Sequence, residues 1–207
     1  KLEYRGYDSA GIAIINSETN SITCNKAEGK LKNLINNLND ENIPGTVGIG
    51  HTRWATHGKP EVKNAHPHTD SSGTIAVVQN GIIENFQELK NKLEKEGINF
   101  NSDTDTEVIP HLIHKELNTL SKLNLPNNGS TLLVAVRNVI SDLEGSYALA
   151  VLWSGAPTSL VVARRQAPLI IGLGEGEFIC ASDTPAIANF TNIIMPLEDE
   201  AVSYTHL

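Results

Sequence analysis

The sequence predicts an α+β domain. Short β-branched runs open and close the chain, helical periodicity fills its middle, and strands and helices are segregated rather than alternating. A doubly wound parallel sheet needs that alternation, so it is excluded. The first block of strands is read from the apolar runs at residues 12–15, 46–49 and 74–78. Helices follow. Residues 85–96 place Phe86, Leu89 and Leu93 on one face, with Gly97 where a C-cap belongs. Thr104-Asp105-Thr106-Glu107 has the spacing of a capping box and opens a helix through Leu117. Turn formers crowd residues 122–129, and Ser130 is placed to cap a helix over 131–143. Strands return at 146–153, 159–163, 169–171 and 178–181.

Bulk properties narrow the function. The chain has 207 residues, 40% of them apolar, enough for one substantial core. Its net charge is −8, and its cations form no stripe, which argues against a nucleic-acid partner. No apolar run approaches the ~20 residues that span a bilayer, so no membrane association is expected. Cys24 and Cys180 lie far apart without CxxC spacing, which fits a reducing cytoplasm rather than a disulfide scaffold. No internal repeat or low-complexity linker divides the chain.

Several motifs compete for a chemical role. Gly172-Leu173-Gly174-Glu175-Gly176 lies between two strand-like runs and leads into no helix, so it reads as a hairpin turn and not as a dinucleotide cradle. The pairs His66/His68 and His111/His114 have no further ligands at metal-site spacing, and no metal is expected. Ser9 and Ser146 lack the nucleophile elbow of a serine hydrolase. The run His51-Thr52-Arg53-Trp54-Ala55-Thr56-His57-Gly58 is a stronger signal. Arg53 offers a planar fork that matches a carboxylate, Thr56 and His57 add donors, and Trp54 is an odd choice for an idle surface loop. Asn80-Gly81 supports two readings equally. It is the favoured two-residue hairpin turn, and it could also be an amide and a backbone N–H converging on one oxyanion. Asp105 by itself is read as a residue favouring a helix start.

Five runs taken together resemble one family. They are Leu2 through Gly11, His51 through Gly58, Asn64-Ala65-His66-Pro67-His68, Asn80-Gly81-Ile82-Ile83-Glu84-Asn85 and Thr104-Asp105-Thr106-Glu107-Val108-Ile109. In order and content they are similar to the glutaminase domain of the glutamine–fructose-6-phosphate aminotransferases, amidotransferases with an N-terminal nucleophile. The related phosphoribosyl amidotransferases are an alternative, but they lack the Arg-Trp-Ala-Thr-His run. The resemblance implies a four-layer αββα sandwich over residues 1–200 and no cofactor. It implies that Arg53, with Thr56 and His57, holds the α-carboxylate of glutamine and that Asp105 holds its α-ammonium. Asn80 and the N–H of Gly81 would form the oxyanion hole. Trp54 would belong to a loop closing over the amino acid, and Arg5 would support the nucleophile's end of the site.

The same resemblance implies a reaction. An N-terminal cysteine attacks the glutamine amide, ammonia leaves, and water releases glutamate. In the parent enzyme, expected to be a homo-oligomer, ammonia passes to fructose 6-phosphate on a separate isomerase domain. The family's cysteine precedes the position where this chain begins, at Lys1. The chain by itself is therefore expected to lack glutaminase activity and to be poorly soluble, with an unpaired strand edge. Residues 201–207 match nothing in the family pattern and are expected to be a divergent or non-native tail. A rival of another class is a glutamine-binding regulatory module without catalysis.

Overall fold

The computed structural model describes residues 6–38, 43–54 and 58–206. Two strands, β1 (Ser9–Ile15) and β2 (Ile22–Glu28), are followed by helix α1 (Leu31–Leu38) and strand β3 (Val47–Arg53). A 3-10 turn at Val62–Asn64 leads to β4 (His68–Thr69) and the long β5 (Ile75–Ile83). Three helices come next: α2 (Phe86–Lys95), α3 (Val108–Lys122) and α4 (Gly129–Ile140). The chain then returns to strands, with β6 (Gly145–Trp153), β7 (Ser159–Arg165), β8 (Ile170–Leu173) and β9 (Phe178–Ala181). Short helix α5 (Thr184–Ile187), β10 (Ile194–Pro196) and β11 (Val202–His206) follow.

Among the described residues the strands pair antiparallel in three sheets, ordered β2-β1-β3, β11-β7-β6-β5-β4 and β10-β8-β9. The period of two in the strands decides the layering. On β6, Leu149, Val151 and Trp153 pack with α3 and α4 through Val108, Ile113, Leu132 and Val136. The intervening Ala148, Ala150 and Leu152 face the other way, toward Ile49 of the first sheet and Leu169 of the third. Helix α1 covers the far side of the first sheet, with Leu34 against Ala10 and Ala27. The layers are thus helix, sheet, sheet and helix: the αββα sandwich. Leu149, Ile113 and Leu132 are wholly buried, and each such side chain contributes roughly 2 kcal/mol.

Local differences from the sequence reading have physical causes. Thr104 and Glu107 make no capping box. Glu107 turns back, and its carboxylate accepts from the N–H groups of Asn101 at 2.8 Å and Ser102 at 2.6 Å, so α3 starts only at Val108. Asn128, not Ser130, caps α4: its extended backbone lets its side chain accept the Thr131 N–H at 2.9 Å. The glycine-rich run 172–176 does turn between β8 and β9, closed by Gly174 N–H to the Glu177 carbonyl at 2.9 Å. Asn80-Gly81 makes no turn. Strand β5 runs straight through it, with Asn80 opposite Ala148 and Gly81 opposite Tyr147. Val202–His206 of the expected tail enters the five-stranded sheet as its edge, paired with β7.

Among the described residues, β3 and β9 each pair on one side only. A cavity of about 530 Å³ lies between them, lined by successive residues of both strands and floored by Val78, Ala148, Ala150 and Leu160. The polar residues singled out by the sequence gather around it.

Candidate active site

Arg53, Trp54, Asn80, Gly81 and Asp105 all line this cavity. They come from the end of β3, the middle of β5 and the turn before α3, so only folding brings them together. Asp105 is nearly fully buried. One of its carboxylate oxygens accepts the Ile83 N–H at 2.8 Å, which ties the turn before α3 to the end of β5. Arg53 is also buried. Its guanidinium donates to the carbonyls of Gly58 at 3.3 Å and Lys59 at 3.4 Å, and lies 3.6 Å from the Asp8 carboxylate. These contacts hold the fork rigidly at the mouth of the cavity. Trp54 is 62% exposed, its ring edge-to-face with Tyr7 at 5.4 Å. Arg5, Thr56 and His57 lie outside the described residues.

Gly81 has a backbone that other residues avoid, with φ of +108°. A Cβ there would sit 2.0 Å from the Ser146 carbonyl oxygen on β6. This left-handed φ falls within β5, at a residue that lines the cavity. The Asn80 side chain continues the row of Ala76 and Val78, toward the first sheet, where its Oδ1 meets Nε2 of His51 at 2.9 Å.

The histidines missed as a group by sequence reading form a stack, of which His51 and His66 line the cavity wall. His51 lies flat on His66 with centroids 4.3 Å apart, and His68 meets His66 edge-on at 4.8 Å. The His66 ring accepts the Gln79 N–H at 3.3 Å, and His68 pairs with Thr104 at 3.0 Å. Thr106 donates to the Gln79 side chain at 2.5 Å, closing a polar net between β5 and the start of α3. His51 at alternate positions from Ile49 on a strand, and the short His66-Pro67-His68 spacing, were the only traces of this in the sequence.

Burial keeps these rings neutral. It pushes His51 down to about 4 and His68 to about 3, and it lowers His66 well below its ordinary value. Burial acts against Glu107 too, but the His111 ring and the Asn101 and Ser102 donors outweigh it and hold the carboxyl at about 2.

The sign of the resulting pH dependence follows from the histidines. Below the ordinary value of 6.5 the unfolded chain binds protons that the folded rings refuse. Folding stability should therefore be intact above that value and fall as pH drops toward about 4. The slope should reach about 1.4 kcal/mol per pH unit for each ring. Thermal melts at successive pH values test this, and a melting temperature that holds level from pH 7 to 4.5 would show that the rings protonate in place.

Cys180 also lines the cavity, but burial pushes its thiol up to about 11, a poor setting for a thiolate nucleophile. Burial raises Cys24 as well, and its Sγ faces the Pro67 carbonyl at 3.9 Å. Among the described residues no helix is long and apolar enough to cross a membrane.

Known proteins match this arrangement. The family model described as "Glutamine amidotransferase domain" matches residues 51–189. A glutamine–fructose-6-phosphate aminotransferase (isomerizing) of Thermosynechococcus vestitus is 55% identical over 96% of this chain, which spans 30% of that relative's length. The enzyme of the same name from a Nostoc species is 53% identical over 98% of the chain, and there the chain spans 31%. Among solved structures, glutamine phosphoribosylpyrophosphate amidotransferase from B. subtilis is 27% identical with a TM-score of 0.73. That match covers 99% of this chain and 44% of the other. The family model takes in the Arg53 loop, the Asn80-Gly81 strand and the Asp105 turn, the three segments that meet at the cavity: this chain belongs to the glutamine amidotransferase domain family.

Proposed function

We propose that this domain binds glutamine in the cavity and hydrolyses its side-chain amide, releasing glutamate and ammonia. One observation carries the reading most: a buried cation, a buried carboxylate and an amide beside a left-handed glycine converge on one cavity from distant parts of the chain. Arg53 takes the α-carboxylate, assisted by Thr56 and His57, and Asp105 takes the α-ammonium with the oxygen not used by Ile83. The scissile amide then lies toward Asn80 and Gly81, whose N–H groups receive the charge that builds on the amide oxygen. Trp54 covers the bound amino acid, and Arg5 supports the nucleophile's end of the site. The attacking thiol is that of an N-terminal cysteine, with its own α-amine as base. The sulfur adds to the amide carbon to give a tetrahedral oxyanion. The proton taken from the thiol by the α-amine passes to the amide nitrogen as the carbon–nitrogen bond breaks and ammonia leaves, and water then cleaves the thioester to glutamate. The ammonia passes to fructose 6-phosphate on a companion isomerase domain, yielding glucosamine 6-phosphate, in a homo-oligomeric cytoplasmic enzyme.

Glutamate release by the full-length protein is the direct test. Arg53→Lys should raise the KM for glutamine about tenfold or more, because an ammonium cannot reproduce a planar two-pronged donor, while kcat changes little. An unchanged KM would remove Arg53 from carboxylate binding. Loss of all activity in Cys180→Ser would relocate the nucleophile and overturn the reading.

A further inference from the structure

His51 opens the motif that contains Arg53, yet it does not itself bind substrate in the reading above. Its ring lies behind Asn80, stacked on His66, and its Nε2 is 2.9 Å from Asn80 Oδ1. An asparagine amide has one accepting end and one donating end. Which end faces the cavity decides whether Asn80 stabilises an oxyanion or repels it. With Oδ1 against the ring, Nε2 must carry the hydrogen, and the Nδ2 amino group is left for the cavity. The ring also meets the Gln79 backbone, so the orientation of the amide is set by the placement of Oδ1 against Nε2.

The neighbouring ring is held in the same way. Because His66 Nδ1 accepts the Gln79 N–H, its hydrogen sits on Nε2, 3.5 Å from the Thr106 hydroxyl oxygen. Thr106 spends its own hydrogen on the Gln79 side chain. The plate on which His51 rests therefore has fixed hydrogen positions and a fixed plane.

We propose that His51 is a positioning residue for amide hydrolysis. Its Nε2–H donates to Asn80 Oδ1 and keeps the Asn80 amino group turned toward the reacting oxygen. This rests on Asn80 acting as an oxyanion donor.

The test is a double-mutant cycle in the full-length protein, reading glutamate release from glutamine. His51→Leu should lower kcat about tenfold, the worth of one neutral hydrogen bond lost from the supporting shell, with KM for glutamine within about twofold of the parent. His51→Gln, whose side-chain N–H can reach the same oxygen, should recover most of the lost kcat. In an Asn80→Ala background, His51→Leu should lower kcat no further. Two results overturn the inference while Asn80→Ala still cripples kcat. One is effects of the two substitutions that multiply in the double variant. The other is a His51→Gln variant as slow as His51→Leu at equal melting temperature. If His51→Leu does not fold, His51→Ala, which also removes the donor, compared with and without Asn80→Ala gives the same coupling. Failure of the oxyanion reading itself shows differently, as an Asn80→Ala variant with parental kcat, and it takes this inference with it.

Discussion

Replacing Asn80 by alanine should cut kcat for glutamate release about a hundredfold while leaving the KM for glutamine nearly unchanged. The oxyanion exists only in the transition state and the tetrahedral intermediate, so a donor aimed at it contributes nothing to ground-state binding. Losing one such donor costs about 3 kcal/mol in comparable sites. The substitution removes the acceptor of His51 Nε2 but leaves the strand pairing in place. Asn80 lies mid-strand, its backbone paired opposite Ala148, and that pairing does not depend on its side chain. Steady-state kinetics combined with a thermal melt separate the outcomes. A variant that loses stability but keeps kcat would make Asn80 a structural residue only.

Gly81→Ala should disable the protein by a different route. At φ of +108° a side chain is strained, and the new Cβ would lie 2.0 Å from the Ser146 carbonyl oxygen. That oxygen belongs to the backbone of β6, the central neighbour of β5, so it cannot swing aside as a side chain would. Either the two central strands separate or the peptide turns. Turning the peptide would misdirect the Gly81 N–H that the proposed reaction uses. Strain of this kind costs about 1–3 kcal/mol, and the clash adds to it. A loss of about 3 kcal/mol lowers the melting temperature of a domain this size by roughly 6–12 °C. Activity should fall further than stability, because the residual folded molecules carry a misdirected N–H. An alanine variant with parental melting temperature and kcat would show that the backbone at Gly81 is neither constrained nor used.

Asn80 and Gly81 mark where sequence reasoning reached its limit. Asn-Gly after a strand suits a hairpin equally well, because the left-handed φ that a tight turn demands is also the one Gly81 adopts within β5. The choice depends on whether a partner strand runs alongside, and that partner, β6, lies far along the chain. Asp105 was misjudged for a similar reason. The spacing of Thr104 and Glu107 imitates a cap, and the competing donors, Ile83 N–H for Asp105 and the N–H groups of Asn101 and Ser102 for Glu107, are invisible to a local pattern. The histidine stack was missed because its members are separated by β-sheet pairing and by the turn that carries His66 back over β5.

The sequence by itself determined the segregation of strands and helices, which residues point inward, the hairpin at 172–176 and the roster of polar residues too costly to keep without a purpose. Those are properties of periodicity and residue chemistry, which neighbouring positions suffice to express. Tertiary structure alone decided that Arg53, Asp105 and Asn80 share one cavity, that β5 continues through Gly81, and that His51 stands behind Asn80 as a neutral ring. Each of these depends on elements distant in sequence excluding water together. Burial is what keeps the rings uncharged and gives an amide's orientation energetic consequence, and it arises only when the two sheets and the helices above them have packed.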